Sequence, residues 1–361
     1  MSPARTHAEA DAAVAALDPL GADALLSGLP ALNRDRDAAR LRHLADRLAE
    51  RAQDVHEPEP ARAALRDLGI AAASWCRLHP DRPPAERVAA ELLRLAELTG
   101  EPPRDSLPSY TTRNPAGPRR RSFTGTAAEE LFIAGLATGA QVLDEAVGHC
   151  VALGAAVDQD RPHDGAAAAR ATGEAFAAFT RLFHTVRRGM TGRFFAEELR
   201  PFFPPIDLDG QTWQAPSGAH LPILTLDVLL YSGTAAGRQD GDAASADAVF
   251  TAHATGALPY LRPDHRELVL AQAGRPGLVA RLAARPAGGA DALLRAAVAE
   301  LTRAFLRFRY PHRKLARDAL EARLGPPVGG PYRIEPLEEL IAVVRAAGDA
   351  LAPRPDGDRV P

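Results

Sequence analysis

The clearest hydrophobic pattern in the chain lies near its C-terminal end, between Leu293 and Leu324. Apolar residues recur there at alternating steps of three and four, which places them on one face of a helix. One member of this face is a histidine, and charged side chains take the other faces. The pattern predicts a helix that buries one face and presents an imidazole to the interior. This face comprises Val298, Leu301, Phe305, Phe308, His312, Leu315 and Ala319.

Two interpretations of His312 are open at this point. It is either a core histidine that bonds a backbone carbonyl or a ligand of a metal ion or haem. The periodicity does not decide between them. Pro311 precedes the histidine and has no N–H, so the carbonyl of Arg307 loses its helical partner and we expect the helix to bend.

Similar amphipathic patterns cover most of the chain and predict an all-α fold. No alternating β pattern of any length and no internal repeat is visible. We interpret residues 1–100 as a helical accessory domain and residues 101–361 as the functional domain. The other predicted helices cover residues 39–52, 61–76, 85–98, 126–157, 166–188, 221–230, 261–270 and 337–350.

The segment 101–125 interrupts these helices with prolines and glycines that prevent regular structure. A long irregular segment in a compact chain is either a linker or functional. Tyr110 and Phe123 favour packing against the rest of the protein. We interpret the cluster Arg119, Arg120 and Arg121 as part of a solvated loop.

Composition excludes several classes of protein. The formal net charge of the 361 residues is -3, which gives no indication of a nucleic-acid partner. Two cysteines cannot form a zinc or iron–sulfur cluster, and no Cys-x-x-Cys-His motif attaches a c-type haem. The chain shows no signal peptide and no run of about 18 apolar residues. We therefore expect a soluble, cytoplasmic protein without a membrane partner.

Three features suggest where chemistry could occur. Arg200 is a guanidinium among apolar residues and requires a carboxylate from the protein or a ligand. Asp227 lies in an apolar helix and requires a cationic or hydrogen-bonding partner. Gly135 and Gly139 leave a groove beside Phe132, which admits either another helix or a flat ligand.

Five motifs in a fixed order point to a known family. They are FFAEELRPFF, SGAHLPILTLDVLL, LRPDHREL, FRYPHRKLARDAL and a Gly-Gly pair before the final helix. Their order and spacing resemble the indoleamine 2,3-dioxygenase superfamily, and within it the bacterial branch typified by PrnB of the pyrrolnitrin pathway. The resemblance covers about residues 105–350 and implies a helical, haem-binding domain.

The resemblance also implies residue roles. The family binds b-type haem through one proximal histidine, which His312 matches as axial ligand of the iron. Arg309 matches an arginine near a haem propionate, and Asp227 matches its acidic partner. Gly329 and Gly330 match a glycine loop at the haem edge.

For the substrate, the resemblance assigns a carboxylate-binding role to Arg200. Phe132 and Phe195 match aromatic residues that pack on an indole ring. The remaining members of the implied pocket are Gly135, Ser217, Gly218 and Tyr332. No residue is assigned as an acid or base catalyst.

The implied function is that of an O2-using, haem b-dependent oxidoreductase of specialised metabolism, such as antibiotic biosynthesis. Its substrate is tryptophan or a substituted tryptophan, and an electron donor reduces the haem. The outcome is dioxygenation, mono-oxygenation or a PrnB-like ring rearrangement. The alternatives are a non-catalytic haem sensor or carrier and a haem-free helical interaction protein, in which Arg200 pairs with a residue such as Glu197 or Asp207.

Overall fold

The computed structural model describes residues 6–233, 254–285, 288–321 and 335–352. Nearly all regular structure in these ranges is helical, which confirms the predicted all-α class. The helices are α1 His7–Ala16, α2 Ala22–Leu26, α3 Leu29–Asp35, α4 Ala38–Ala52, α5 Pro58–Leu78, α6 Glu86–Thr99, α7 Leu107–Tyr110, α8 Ala127–Asp158, α9 Pro162–Gly189, α10 Gly192–Phe194, α11 Ile223–Tyr231, α12 Pro263–Gln272, α13 Leu278–Ala283, α14 Ala290–Glu321 and α15 Glu335–Leu351.

The described residues divide into two units, each discontinuous in sequence. The first unit comprises residues 6–141, 183–220 and 317–321. The second unit comprises residues 142–182, 221–233, 254–285, 288–316 and 335–352. The accessory and functional roles predicted for residues 1–100 and 101–361 stay a prediction.

Helices α4, α5 and α6 form the core of the first unit. Leu41, Leu44 and Leu48 share one side of α4 and are buried. Helix α5 is buried on nearly every face because its many small residues admit close neighbours. A Cβ atom at Gly69 would lie 2.5 Å from the backbone nitrogen of Asp105, so this glycine allows the following segment to cross α5.

The irregular segment 101–125 is packed inside the first unit. Tyr110 and Phe123 are buried, as their presence predicted. The carboxylate of Glu129, in the first turn of α8, accepts hydrogen bonds from the Tyr110 hydroxyl and from the backbone nitrogens of Phe123 and Thr124. This one buried acid therefore fixes the end of the segment at the start of α8.

The prediction of a solvated arginine loop is wrong. Arg121 is 2% exposed, and its Nε donates to Asp67 over 2.8 Å. Arg119 pairs with Asp23, and Arg120 pairs with a glutamate of α8. The pattern of charges could not reveal Asp23 and Asp67 as partners, because they lie 96 and 54 residues away from Arg119 and Arg121.

The second unit contains residues 290–316 of α14, the predicted histidine helix. Its predicted face is confirmed at positions 298, 301, 305 and 308, which are all buried. Phe176 of α9 stacks on Phe305, with ring centroids 3.9 Å apart. Pro311 lies inside the helix, which continues to Glu321. The bend expected at this proline stays a prediction.

The structure also contains elements that the patterns did not predict. Strands Ile206–Leu208 and Gln211–Trp213 form a two-stranded antiparallel hairpin between the predicted helices 166–188 and 221–230, where no β pattern was visible. Each strand has three residues, which is too short for a visible alternation. The sequence patterns also failed to predict helix α13, because its six residues are too few to show a helical period.

Helix α8 is the one described helix that is long and apolar enough to cross a membrane, by length and composition alone. Its apolar positions Ile133, Leu143 and Leu153 are buried within the protein. Core helices of soluble proteins meet the same criteria, so this helix is weak evidence for a membrane. The cytoplasmic location stays a prediction.

Candidate functional site

Three of the residues that the resemblance assigns to haem, Asp227, Arg309 and His312, lie in the second unit. His312 follows Pro311 on α14, and its side chain is partly exposed while its Nδ1 atom is buried. The ring centroid of Phe308, one turn earlier, lies 5.3 Å from that of the imidazole, and the two ring planes are inclined by 29°. Burial, together with the smaller effect of the Arg309 charge, lowers the pKa of His312 to about 4. The imidazole is therefore neutral at pH 7, which is the form that binds a metal.

Arg309 and Asp227 form a buried ion pair across α14 and α11. Nη2 of Arg309 lies 2.5 Å from each carboxylate oxygen of Asp227, and both side chains are 3% exposed. Asp227 thus has the cationic partner that its apolar helix requires. Removing one member of such a pair leaves an uncompensated buried charge and costs about 3–5 kcal/mol.

The ion pair with Asp227 does not use every N–H donor of the Arg309 guanidinium. Only Nη2 donates to Asp227, whereas the buried Nε has no hydrogen-bond partner within the described ranges. A buried N–H without an acceptor costs about 1–3 kcal/mol. This donor, one turn before His312, fits a carboxylate such as a haem propionate.

Tyr231 of α11 lies near the ion pair of Asp227 and Arg309. It is fully buried, and its ring meets Phe305 edge to face at 5.5 Å between centroids. Burial raises the pKa of its hydroxyl far above the usual range, and the charge of Asp227 adds to the effect. Its hydroxyl lies near Thr302 but forms no well-aligned hydrogen bond within the part of the chain that the structure describes.

The first unit holds the predicted aromatic residues. The rings of Phe132 and Phe195 lie 5.6 Å apart, and Tyr110 lies 6.5 Å from Phe132. A Cβ atom at Gly135 would lie 2.2 Å from Cγ2 of Val186, so this glycine allows α8 and α9 to pack closely. The helix-packing interpretation of Gly135 thus has direct support, whereas its place in a substrate pocket stays a prediction.

Arg200 follows a wide helical turn at the end of the FFAEEL motif. This π-helical turn covers Phe195–Leu199, and Arg200 begins the 3-10 turn Arg200–Phe202. Its side chain is partly exposed. The two acids considered as its internal partners bind other groups, since Glu197 accepts from Arg193 and Asp207 accepts from Thr212.

The remaining predicted residues fall into two classes. Ser217 and Gly218 are exposed, and open space surrounds the position that a Cβ of Gly218 would take. Gly329, Gly330 and Tyr332 lie outside the described residues. Their roles stay predictions of the resemblance.

Three polar residues of the second unit escaped the sequence patterns. Thr225 of α11, His265 of α12 and Asp144 of α8 lie in line, with the imidazole between the other two. A signal for His265 was present in the motif LRPDHREL, but nothing in the sequence connects this motif to residue 144.

Within the described ranges, no group of three His, Cys, Asp or Glu side chains could hold a metal ion. Haem needs only one protein ligand, so the donor set around His312 fits haem better than a free metal ion.

Comparison with protein families identifies the family of this chain. The model of the family described as monodechloroaminopyrrolnitrin synthase PrnB matches residues 24–316. This range includes His312, Arg309, Asp227 and Arg200. The family is one of enzymes that act on a tryptophan-derived substrate. The match covers most of the 361 residues, and the chain therefore belongs to the PrnB family.

Proposed function

We propose that the protein is a haem b-dependent, O2-using enzyme of specialised metabolism that acts on tryptophan or a substituted tryptophan. The observation that carries the proposal is the neutral imidazole of His312 beside Arg309, whose buried Nε has no acceptor in the described part of the chain. Membership of the PrnB family agrees with this assignment.

His312 is the axial ligand in this proposal. Its low pKa keeps a lone pair free of protons at pH 7. Arg309 binds a propionate through its free donor, and Asp227 holds the guanidinium in place from the other side. The ion pair thus orients the Arg309 guanidinium next to His312. Because this guanidinium is already buried, its position requires no further desolvation.

The reduced haem supplies activation of O2, which is chemistry that side chains cannot perform. Arg200 binds the substrate carboxylate, for which a planar guanidinium provides two parallel donors. Phe132 and Phe195 pack on the indole ring. Ser217, Gly218 and Tyr332 border the substrate, Gly135 keeps the helix beside it free of a side chain, and Gly329 and Gly330 border the haem.

The test is the absorption spectrum of the purified protein supplied with haem. We expect a Soret band that moves on reduction and that His312→Ala loses or shifts. His163→Ala is the matched control, because His163 is an exposed histidine of the same unit, and it should leave the band unchanged.

Binding of tryptophan to the reduced protein then separates an enzyme from a gas sensor or carrier. Tryptophan should shift the spectrum of an enzyme, and O2 should be consumed when a reductant is present. A wild-type protein that stays colourless with added haem would show that the proposal is wrong and that the chain is a haem-free helical protein.

A further inference from the structure

A second buried polar cluster lies beside the helix that carries Asp227. His265 of α12 is 4% exposed. Its Nδ1 lies 3.3 Å from the hydroxyl of Thr225 on α11, and its Nε2 lies 3.3 Å from a carboxylate oxygen of Asp144 on α8. The two nitrogens of one imidazole therefore contact two different helices.

Asp144, the last residue in this series of contacts, is itself bound by an arginine. Nη1 of Arg262 lies 2.5 Å from the second carboxylate oxygen of Asp144. The same guanidinium binds Asp264 through Nη2 over 3.0 Å. Arg262 therefore holds one carboxylate oxygen of Asp144, and the other oxygen faces Nε2 of His265.

Thr225 precedes Asp227 by two residues on α11, so any shift or rotation of this helix moves both. The apolar contacts of α11 do not by themselves prevent such a shift, because Leu224 and Val228 lie in a cluster of aliphatic residues that includes Val269 of α12. Apolar packing is non-directional, whereas a hydrogen bond to a fixed imidazole specifies one position.

We propose that His265 is a positioning residue, which aligns α11 so that Asp227 meets Arg309. The position of the guanidinium beside His312 then depends on Thr225 of α11 and on Asp144 of α8. The effect on haem rests on the proposed function, but the effect on the ion pair does not.

The test is a double-mutant cycle between His265→Phe and Asp227→Asn. In the haem-free protein, we expect the combined shift in urea midpoint to be smaller than the sum of the single shifts. The stability changes caused by substitutions at distant sites without shared partners normally add. If Asp227→Asn does not fold, Arg309→Lys, which keeps the charge, replaces it in the cycle.

The same variants are then loaded with haem, and the midpoint reduction potential is measured. His265→Phe should shift the potential in the same direction as Asp227→Asn. His265→Asn keeps a polar group toward Thr225 and His265→Gln keeps one toward Asp144, so each should restore part of the shift. Val269→Ala is the control, because it weakens the same helix contact without altering the imidazole.

Additive effects of His265→Phe and Asp227→Asn in the haem-free protein would overturn the proposal, whatever happens to haem. An unchanged potential in His265→Phe, or a Val269→Ala variant that shifts the potential equally, would also overturn it. A wild-type protein that binds no haem contradicts the proposed function alone, because the urea cycle still decides the role of His265.

Discussion

At the scale of single residues, the most informative feature is how neighbours change the chemistry of His312. Burial and the adjacent positive charge of Arg309 disfavour the imidazolium form. A histidine of this kind binds a metal at neutral pH without first losing a proton. The same environment makes the haem-free protein sensitive to acid.

We predict that the haem-free protein loses stability as the pH falls from about 6.5 to about 4. The unfolded chain binds a proton at His312 in this window and the folded chain does not, so acid favours unfolding. At about 1.4 kcal/mol per pKa unit, the protonation of His312 lowers the free energy of unfolding by up to about 3 kcal/mol. Urea unfolding at several pH values measures the effect.

The matched variant is His312→Gln, which cannot titrate in this range. Carboxylates also affect stability at these pH values, so the difference between the wild type and the variant is the relevant quantity. Identical pH slopes for the two proteins would contradict the lowered pKa.

A second residue-scale prediction concerns Arg200. Arg200→Ala should weaken tryptophan binding about 10- to 100-fold, because a hydrogen bond to a charged group contributes about 1.5–3 kcal/mol. Tryptamine lacks the carboxylate, so its affinity should not change. Spectral titration of the haem-loaded protein measures both ligands.

Arg193→Ala is the control for this experiment, since Arg193 is an exposed neighbour that pairs with Glu197. Equal losses for tryptophan and tryptamine would indicate that Arg200 supports the fold rather than the carboxylate.

At the scale of elements, two glycines of α8 have opposite expected effects. Gly135→Ala should lower the free energy of unfolding by about 1–3 kcal/mol, because the new methyl group collides with Val186. Gly148→Ala should raise it by about 0.5–1 kcal/mol, since open space surrounds that position and alanine favours a helix. Chemical denaturation of both variants measures the contrast.

Val186→Ala provides a further check of the same contact. Combined with Gly135→Ala, it should recover part of the lost stability, because it removes the methyl group that collides. A double variant as unstable as the sum of the single variants would argue against close packing of α8 and α9 at this point.

At the scale of the whole molecule, buried ion pairs join segments that are far apart in the chain. The carboxylate of Asp67 accepts from Arg66 over 2.8 Å and from Arg121 over 2.8 Å. Arg66 also donates to the backbone carbonyl of Leu17, at the end of α1. One carboxylate thus connects the N-terminal helices, α5 and the segment 101–125.

We predict that Asp67→Asn destabilises the protein by about 3–5 kcal/mol, because the buried guanidinium of Arg66 loses its countercharge, whereas Arg121 keeps its ion pair with Asp23. Asp164→Asn breaks an exposed pair with Arg161 and should change stability by less than about 1 kcal/mol. Thermal unfolding of both variants provides the comparison. Similar small changes in both would show that the network does not stabilise the fold.

Much of the fold could be predicted from local patterns. The period of the apolar residues indicated helices at α4, α8 and α14, and apolar residues of each of these helices are buried. The carboxylate of Asp227 could be recognised as needing a cation, because a lone charge in an apolar helix is costly. The haem and substrate roles came from the order of motifs, and they stay predictions.

What the sequence determined by itself was the class of fold, the buried face of α14 with His312 at its end, and the family. These properties depend on residues that are close in the chain. Only the tertiary structure decided which charges meet. Arg121 reaches Asp67, and His265 lies between Thr225 and Asp144, because folding brings distant segments together and excludes water from the polar groups between them.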